Sequence, residues 1–229
     1  MKMEIKGPRG EPGLLLRAGL ALLLAALAAG VALVLVAEHE HPGLGAIVDA
    51  ELARSGADNP VTAVLLNFRA YDTLLEIAVL TVALVGVWAL GPAPRIREST
   101  PSPVLLGMNS ILIPLAPLIC AYLLWAGASR PGGAFQAGAV LAAAGVLFIL
   151  SGRRPRTRLP DAPPRLGAVI GLAAFLAVAL GVMSSGRRFL EYPVELAGAL
   201  ILFVETAATL SIAVILAGLF IGGRPEDEP

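Results

Sequence analysis

Residues 67–76 read NFRAYDTLLE, set between VTAVLL (61–66) and IAVLTVALVGVWAL (77–90). Arg69, Asp72 and Glu76 therefore fall within eight residues of an otherwise apolar run. The 14 uncharged residues from Ile77 to Leu90 make about 21 Å of helix, at ~1.5 Å per residue. That is short of a ~30 Å hydrocarbon core. If the segment spans a bilayer, part of NFRAYDTLLE must lie inside it, with Glu76 a little outside the midplane and Asp72 one turn nearer the outer surface.

On a continuous helix, Asp72 and Glu76 at i and i+4 share a face, and Arg69 precedes Asp72 by three on the same face. Two carboxylates and a guanidinium stacked this way can pair. Each alone would cost about 2.5–3.5 kcal/mol at mid-membrane on insertion scales. Such a column has to face protein or water. Two readings follow: Arg69 and Asp72 anchor the helix near the outer interface as a local ion pair, or the column forms part of an ion or proton pathway. Glu76, deepest and next to a like charge, is the stronger candidate for a proton relay, because burial and like charge both favour a protonated carboxyl.

The rest of the chain supports a membrane setting. Of 229 residues, 57% are hydrophobic and only 15% charged, and the mean hydropathy is +0.80. A soluble domain carries nearer a quarter charged residues. Six apolar spans emerge at 14–36, 61–90, 103–126, 133–150, 165–183 and 194–222. The expected fold is an all-α integral membrane protein of about six transmembrane helices. The first run, long enough to span and without a clear small-residue cleavage site, reads as a retained helix rather than a signal peptide. With the N-terminus inside, twelve basic residues fall on the inner side, four on the outer, and Arg69 within the membrane. Both termini are then cytoplasmic, an N-in, C-in topology. The Pro- and Gly-rich segment GPAPRIRESTPSP, 91–103, separates a two-helix module (1–95) from a four-helix one (103–229).

Formal net charge is zero, which gives no field for nucleic acid. Zinc, protease and nucleotide-loop signatures are absent. Lone Cys120 in an apolar run reads as packing, and Asn109 and Ser110 as packing groups. His39 and His41, in the loop segment EHEH, read as solvated, and no metal site is expected. The RRPRTR run, 153–158, fixes orientation and can touch anionic headgroups. Glu205, near the middle of the sixth span beside Thr206 and Thr209, is either a protonated clasp to a neighbouring helix or a further proton station. Glu195, beside Glu191 at the outer rim, reads as solvated. Gly138 and Ala142 form a small-xxx-small pair suited to close helix approach. Pro131-Gly132-Gly133 can end one helix and reverse the chain, with Gln136 near the outer end of the next.

Two stretches carry a family resemblance. PVTAVLLNFRAYDTLLEIAVL (60–80) resembles the C-terminal segment of the large A subunit of Mrp-type sodium/proton antiporters, and equally the small E-type (MbhE-like) subunit of related membrane-bound hydrogenases. The preceding loop GAIVDAELARSGADNPV (45–61) fits more loosely. WAGASRPGGAFQAGAVLAAA (125–144), with Pro131, Gly132, Gly133, Phe135, Gln136 and Gly138, resembles the B subunit, the MnhB domain. Ala134 stands where that family has a third glycine.

The resemblance implies a fusion of the two modules in the cell inner (plasma) membrane. It would be a non-enzymatic accessory subunit of an Mrp-type Na+/H+ antiporter, partnered by other membrane subunits and needing no cofactor. Arg69, Asp72, Glu76 and Glu205 would lie on an ion or proton pathway. The same residues fit the membrane arm of a hydrogenase or another redox-driven complex, or a structural scaffold. An intramembrane enzyme has no nucleophile–histidine pair at membrane depth to support it.

Overall fold

The computed structural model describes residues 14–36, 43–91, 102–152 and 162–223. These form the helices α1 (Leu14–Val36), α2 (Leu44–Glu51), α3 (Pro60–Ala63), α4 (Ala70–Ala89), α5 (Pro103–Ala126), α6 (Ala134–Leu150), α7 (Ala162–Ser184) and α8 (Ala197–Ile221), with no strand among the described residues. His39, His41 and the RRPRTR run lie outside them. By contacts the chain forms two compact units, residues 1–44 and 45–229. In the first, α1 is a continuous helix, apolar except for Arg17, whose described side chains, Ala18 to Leu33, are all exposed. The second holds the charged segment, the glycine turn and Glu205.

Among the described residues, α4, α5, α8 and residues 164–184 of α7 are long and apolar enough to cross a membrane, and Ala18–Leu33 and Ala134–Leu150 are shorter apolar helices. The protein is an all-α membrane protein. α6 has 17 residues, about 26 Å of helix, less than the ~30 Å hydrocarbon core.

α8 is the axis of the second unit. Ile201, Val204, Ala208, Ile212 and Ile215 are buried together with Glu205, Thr209 and Ser211, so burial runs round most of its circumference. A helix apolar all round is a core helix, and here α4, α6 and α7 all pack against it. α7 presents Ala168, Phe175, Val178, Ala179 and Val182 to the core, at helical spacing. α5 packs mainly on α6 and leaves most of its surface outside the bundle.

Small residues set how closely these helices approach, as membrane packing requires. A Cβ at Gly138 of α6 would lie 2.9 Å from the Ile212 side chain and 3.0 Å from the Thr209 carbonyl oxygen. One at Gly171 of α7 would lie 2.8 Å from Ser211 Cβ, and the Ser211 hydroxyl donates to the Ala168 carbonyl at 2.6 Å. Of the small pair read from the sequence, both Gly138 and Ala142 are buried. In α5, Asn109 is buried and its amide donates to the Leu147 carbonyl of α6 at 3.0 Å, the packing role expected of it. Cys120 is buried as well.

The span 61–90 is not the single helix expected. Asn59 caps α3, its side chain accepting from the Val61 amide, with Pro60 at the first helical position. The chain then widens into a π-helical turn, Val64–Phe68, and leaves helical geometry at Arg69 (φ −129°, ψ 38°) before α4 begins. Side chains take up the backbone groups near this break. The Thr73 hydroxyl donates to the Leu65 carbonyl at 2.7 Å, and the Asn67 amide donates to the Ser55 carbonyl at 2.8 Å. Such substitution is needed wherever a helix is interrupted away from water.

Gly138→Val should force α6 and α8 apart and cost about 1–3 kcal/mol, the usual range for overpacking. A lowered thermal midpoint of the detergent-extracted protein checks this, and Ala139→Val, on an exposed position of the same helix, should leave the midpoint unchanged.

Candidate functional site

The break at Arg69 changes how the charged segment is arranged. Arg69 does not share a continuous helical register with Asp72. It is the residue before α4, and from there its guanidinium reaches back to Asp72, with Nη2–Oδ2 at 2.6 Å. Asp72 sits in the first turn of α4, where a negative charge is favoured by the exposed amides. Both side chains are about half exposed, at 59% and 46%. Glu76 lies one turn further on the exposed surface of α4, with no ion-pair partner among the described residues. The burial expected for Glu76 is therefore not supplied by its own chain, because Thr73, Leu74 and Ile77 take the inward positions.

A second arrangement forms where α5 turns into α6. α5 ends at Gly127, and the Leu123 carbonyl accepts from both the Gly127 and Gly133 amides, at 3.1 and 2.9 Å. This folds Pro131-Gly132-Gly133 back over the helix end. A Cβ at Gly132 would collide with the Leu123 carbonyl oxygen. Gly133 has φ +110°, in the region that favours glycine. α6 then starts at Ala134, and the carboxylate of Glu205 on α8 stands beside this helix start. Glu205 Oε1 lies 3.0 Å from where a Gly133 Cβ would sit. Glu205 is 3% exposed and lies about 12 Å along α8 from its N-terminal end, at ~1.5 Å per residue. The N-terminus of α6 therefore faces, in the interior of the bundle, an acidic side chain from another helix.

The segment before α4 holds this turn from the other side. The Asp58 and Asn59 amides both donate to the Ala128 carbonyl, at 2.9 and 3.0 Å, and the Asn59 side-chain amide donates to the Arg130 carbonyl at 2.8 Å. The Thr62 hydroxyl donates to the Gly127 carbonyl. Between the two segments lies a cavity of about 340 Å³, with Thr62, Thr73, Gln136 and Glu205 among its walls and Arg130 and Pro131 at its exposed edge.

In the sequence, Glu205 and the Pro131–Gly138 motif stand far apart and give no sign of meeting. The structure brings Glu205, Pro131, Gly132, Gly133, Phe135 and Gln136 round one cavity, while Gly138 lies deeper as a helix contact. Arg69, Asp72 and Glu76 are not among its lining residues. Sequence reasoning missed Asn59, Thr62 and Thr73. The Asn-Pro pair at 59–60 is a helix-start signal that could have marked Asn59 as the cap of α3. Glu191 and Glu195 are exposed, as expected, and Glu191 accepts from the Arg188 amide.

These features define a multi-pass membrane protein with ionisable side chains on its apolar helices. Residues 104–223 match the family of domains related to the MnhB subunit of Na+/H+ antiporter, and the chain belongs to that family. Residues 16–104 match MbhE, the E-type component of MBH. A chain in the structure of the membrane-bound sulfane sulfur reductase, an archaeal respiratory membrane complex, superimposes with a TM-score of 0.72 at 24% identity. The match covers 91% of this chain and 98% of that one. A chain of the Mrp complex from Dietzia sp. DQ12-45-1b superimposes with a TM-score of 0.66 at 22% identity, covering 94% of this chain and 26% of that one. At these identities the two likenesses concern the fold alone. No curated protein matches the chain.

Gly133→Ala should cost about 1–3 kcal/mol, the range for a residue held in a sparsely populated backbone region, because it adds strain at φ +110° and a methyl against Glu205. Thermal unfolding of the extracted protein measures it. Adding Glu205→Ala should not restore the midpoint, since the backbone strain at φ +110° remains and that change opens a void in the buried position of Glu205.

Proposed function

We propose that this chain is an accessory membrane subunit of a multisubunit Mrp-type monovalent cation (Na+)/proton antiporter in the cell inner (plasma) membrane. It would contribute to assembly and to a proton or ion pathway, without catalysis of its own. The N-in, C-in orientation and the division into an MbhE-like module, 1–95, and an MnhB-like module, 103–229, belong to this proposal. The family assignment carries the class of complex, and one observation carries the dependence on partners. Glu76 stands on the exposed surface of α4, about 21 Å from the Leu90 end at ~1.5 Å per residue. A charged group at that depth facing lipid costs about 2.5–3.5 kcal/mol or more. A neighbouring polypeptide, or water held between polypeptides, must cover it.

A second reading has its own support. The one-to-one length match to a chain of the sulfane sulfur reductase complex favours service in the membrane arm of a redox-driven complex, whose chemistry lies on other subunits. Purification of the native assembly separates the two readings: copies of antiporter-type subunits alone favour the first, and soluble redox subunits favour the second.

Neutral isosteres test the pathway role in either complex. Asp72→Asn, Glu76→Gln and Glu205→Gln should each leave the complex assembled while lowering sodium/proton exchange in everted vesicles. Loss of co-purification with unimpaired exchange in whatever complex remains would make these carboxylates structural struts instead.

A further inference from the structure

We propose that the cavity between residues 59–73 and the α5–α6 turn is a water-filled well. It opens at the end of the bundle that carries that turn and delivers hydrogen ions to Glu205 at its base. The proposal rests on the accessory-subunit reading above and names one route within it.

The walls have the chemistry that holds water. A buried water needs two to four polar partners and only a small volume, and this cavity is about 340 Å³. The Thr62 and Thr73 hydroxyls have already given their hydrogens to the Gly127 and Leu65 carbonyls, so they offer lone pairs. Gln136 and Arg130 supply N–H donors, and the Glu205 carboxylate supplies acceptors. Exposure differs along the lining: Arg130, Pro131 and Gln136 are exposed, whereas Thr62, Thr73, Gly133 and Glu205 are buried. Beyond the lining residues α6 lies close on α8, where a Cβ at Gly138 would sit 2.9 Å from the Ile212 side chain.

The same groups argue against a resting metal cation. Arg130 is the other ionisable group among the described lining residues, and its charge lies at the entrance. At the base, the positive end of the α6 dipole faces Glu205. A hydronium ion needs no cage of ligands. It gives one proton to a Glu205 carboxylate oxygen and leaves as water, and the reverse step returns the proton to the well.

Cysteine accessibility in the whole complex, in sealed vesicles, tests this. Cys120 is the one native cysteine, so Cys120→Ala supplies the background. Arg187→Cys, in the loop between α7 and α8, reports the turn-bearing side, and Leu90→Cys reports the opposite side. A charged, membrane-impermeant methanethiosulfonate applied to the side that labels Arg187→Cys should label both Gln136→Cys and the buried Thr73→Cys. Applied to the side that labels Leu90→Cys, it should label neither. Absence of labelling at Thr73→Cys from the first side, with Gln136→Cys labelled, overturns the well, and so does labelling from the second. Protection of Thr73→Cys by sodium but not by choline would make the site a metal-cation site and overturn the hydrogen-ion assignment. An assembly that exchanges sodium for protons yet leaves Thr73→Cys unlabelled sinks the well and leaves the functional assignment standing. A labelled well in a chain that purifies free of antiporter subunits does the reverse.

Discussion

The placing of the Glu205 carboxylate against the start of α6 is the constraint around which the site is arranged. A helix begins with amides that have no partner within it, and α6 begins where the surroundings are other helices rather than bulk water. An acidic side chain from α8 stands at that end, where the positive end of the helix dipole favours it. That fixes the height of α6 against α8 and hence which small residues meet further along, with Gly138 against Ile212 and Thr209. It also fixes the turn before α6, because only a tightly reversed Gly132-Gly133 brings Ala134 to that height without backbone collision.

The interruption before α4 does related work on the other wall. By widening at 64–68 and leaving helical geometry at Arg69, the chain lets Asp58, Asn59 and Thr62 reach the α5–α6 turn while Thr73 closes the gap. The ion pair of Arg69 with Asp72 and the carboxylate of Glu76 are left on the outward surface of α4. One face of the segment is thus committed to this chain's own turn. The other keeps its charge for whatever covers it in the assembled complex.

Much of this was legible in the sequence, and the parts that were not have physical reasons. Helices α1 and α5 coincide with the apolar runs that announced them, since long uncharged stretches have one stable form in lipid, and α6, α7 and α8 depart from theirs by a few residues. The α5–α6 reversal was visible in Pro131-Gly132-Gly133, and the depth of Glu205 in its distance from both ends of its span. The meeting of those two could not be read, because helix pairing leaves little trace in a stretch where nearly every residue is apolar. The break at 64–69 was hidden for another reason: Val, Leu, Asn and Phe carry no breaker signal of their own. The interruption is supported by Thr73 and Asn67, through hydrogen bonds that only the folded chain reveals. The spacing of Arg69 and Asp72 pointed to their pairing, but through a helical register that the structure does not use.

The cavity draws one wall from residues 59–73 and the other from 129–136 and Glu205, within a single polypeptide. Whichever ribosome makes one wall makes the other, so the two are produced in strict equality. Neither can be incorporated into a membrane assembly without its counterpart at hand.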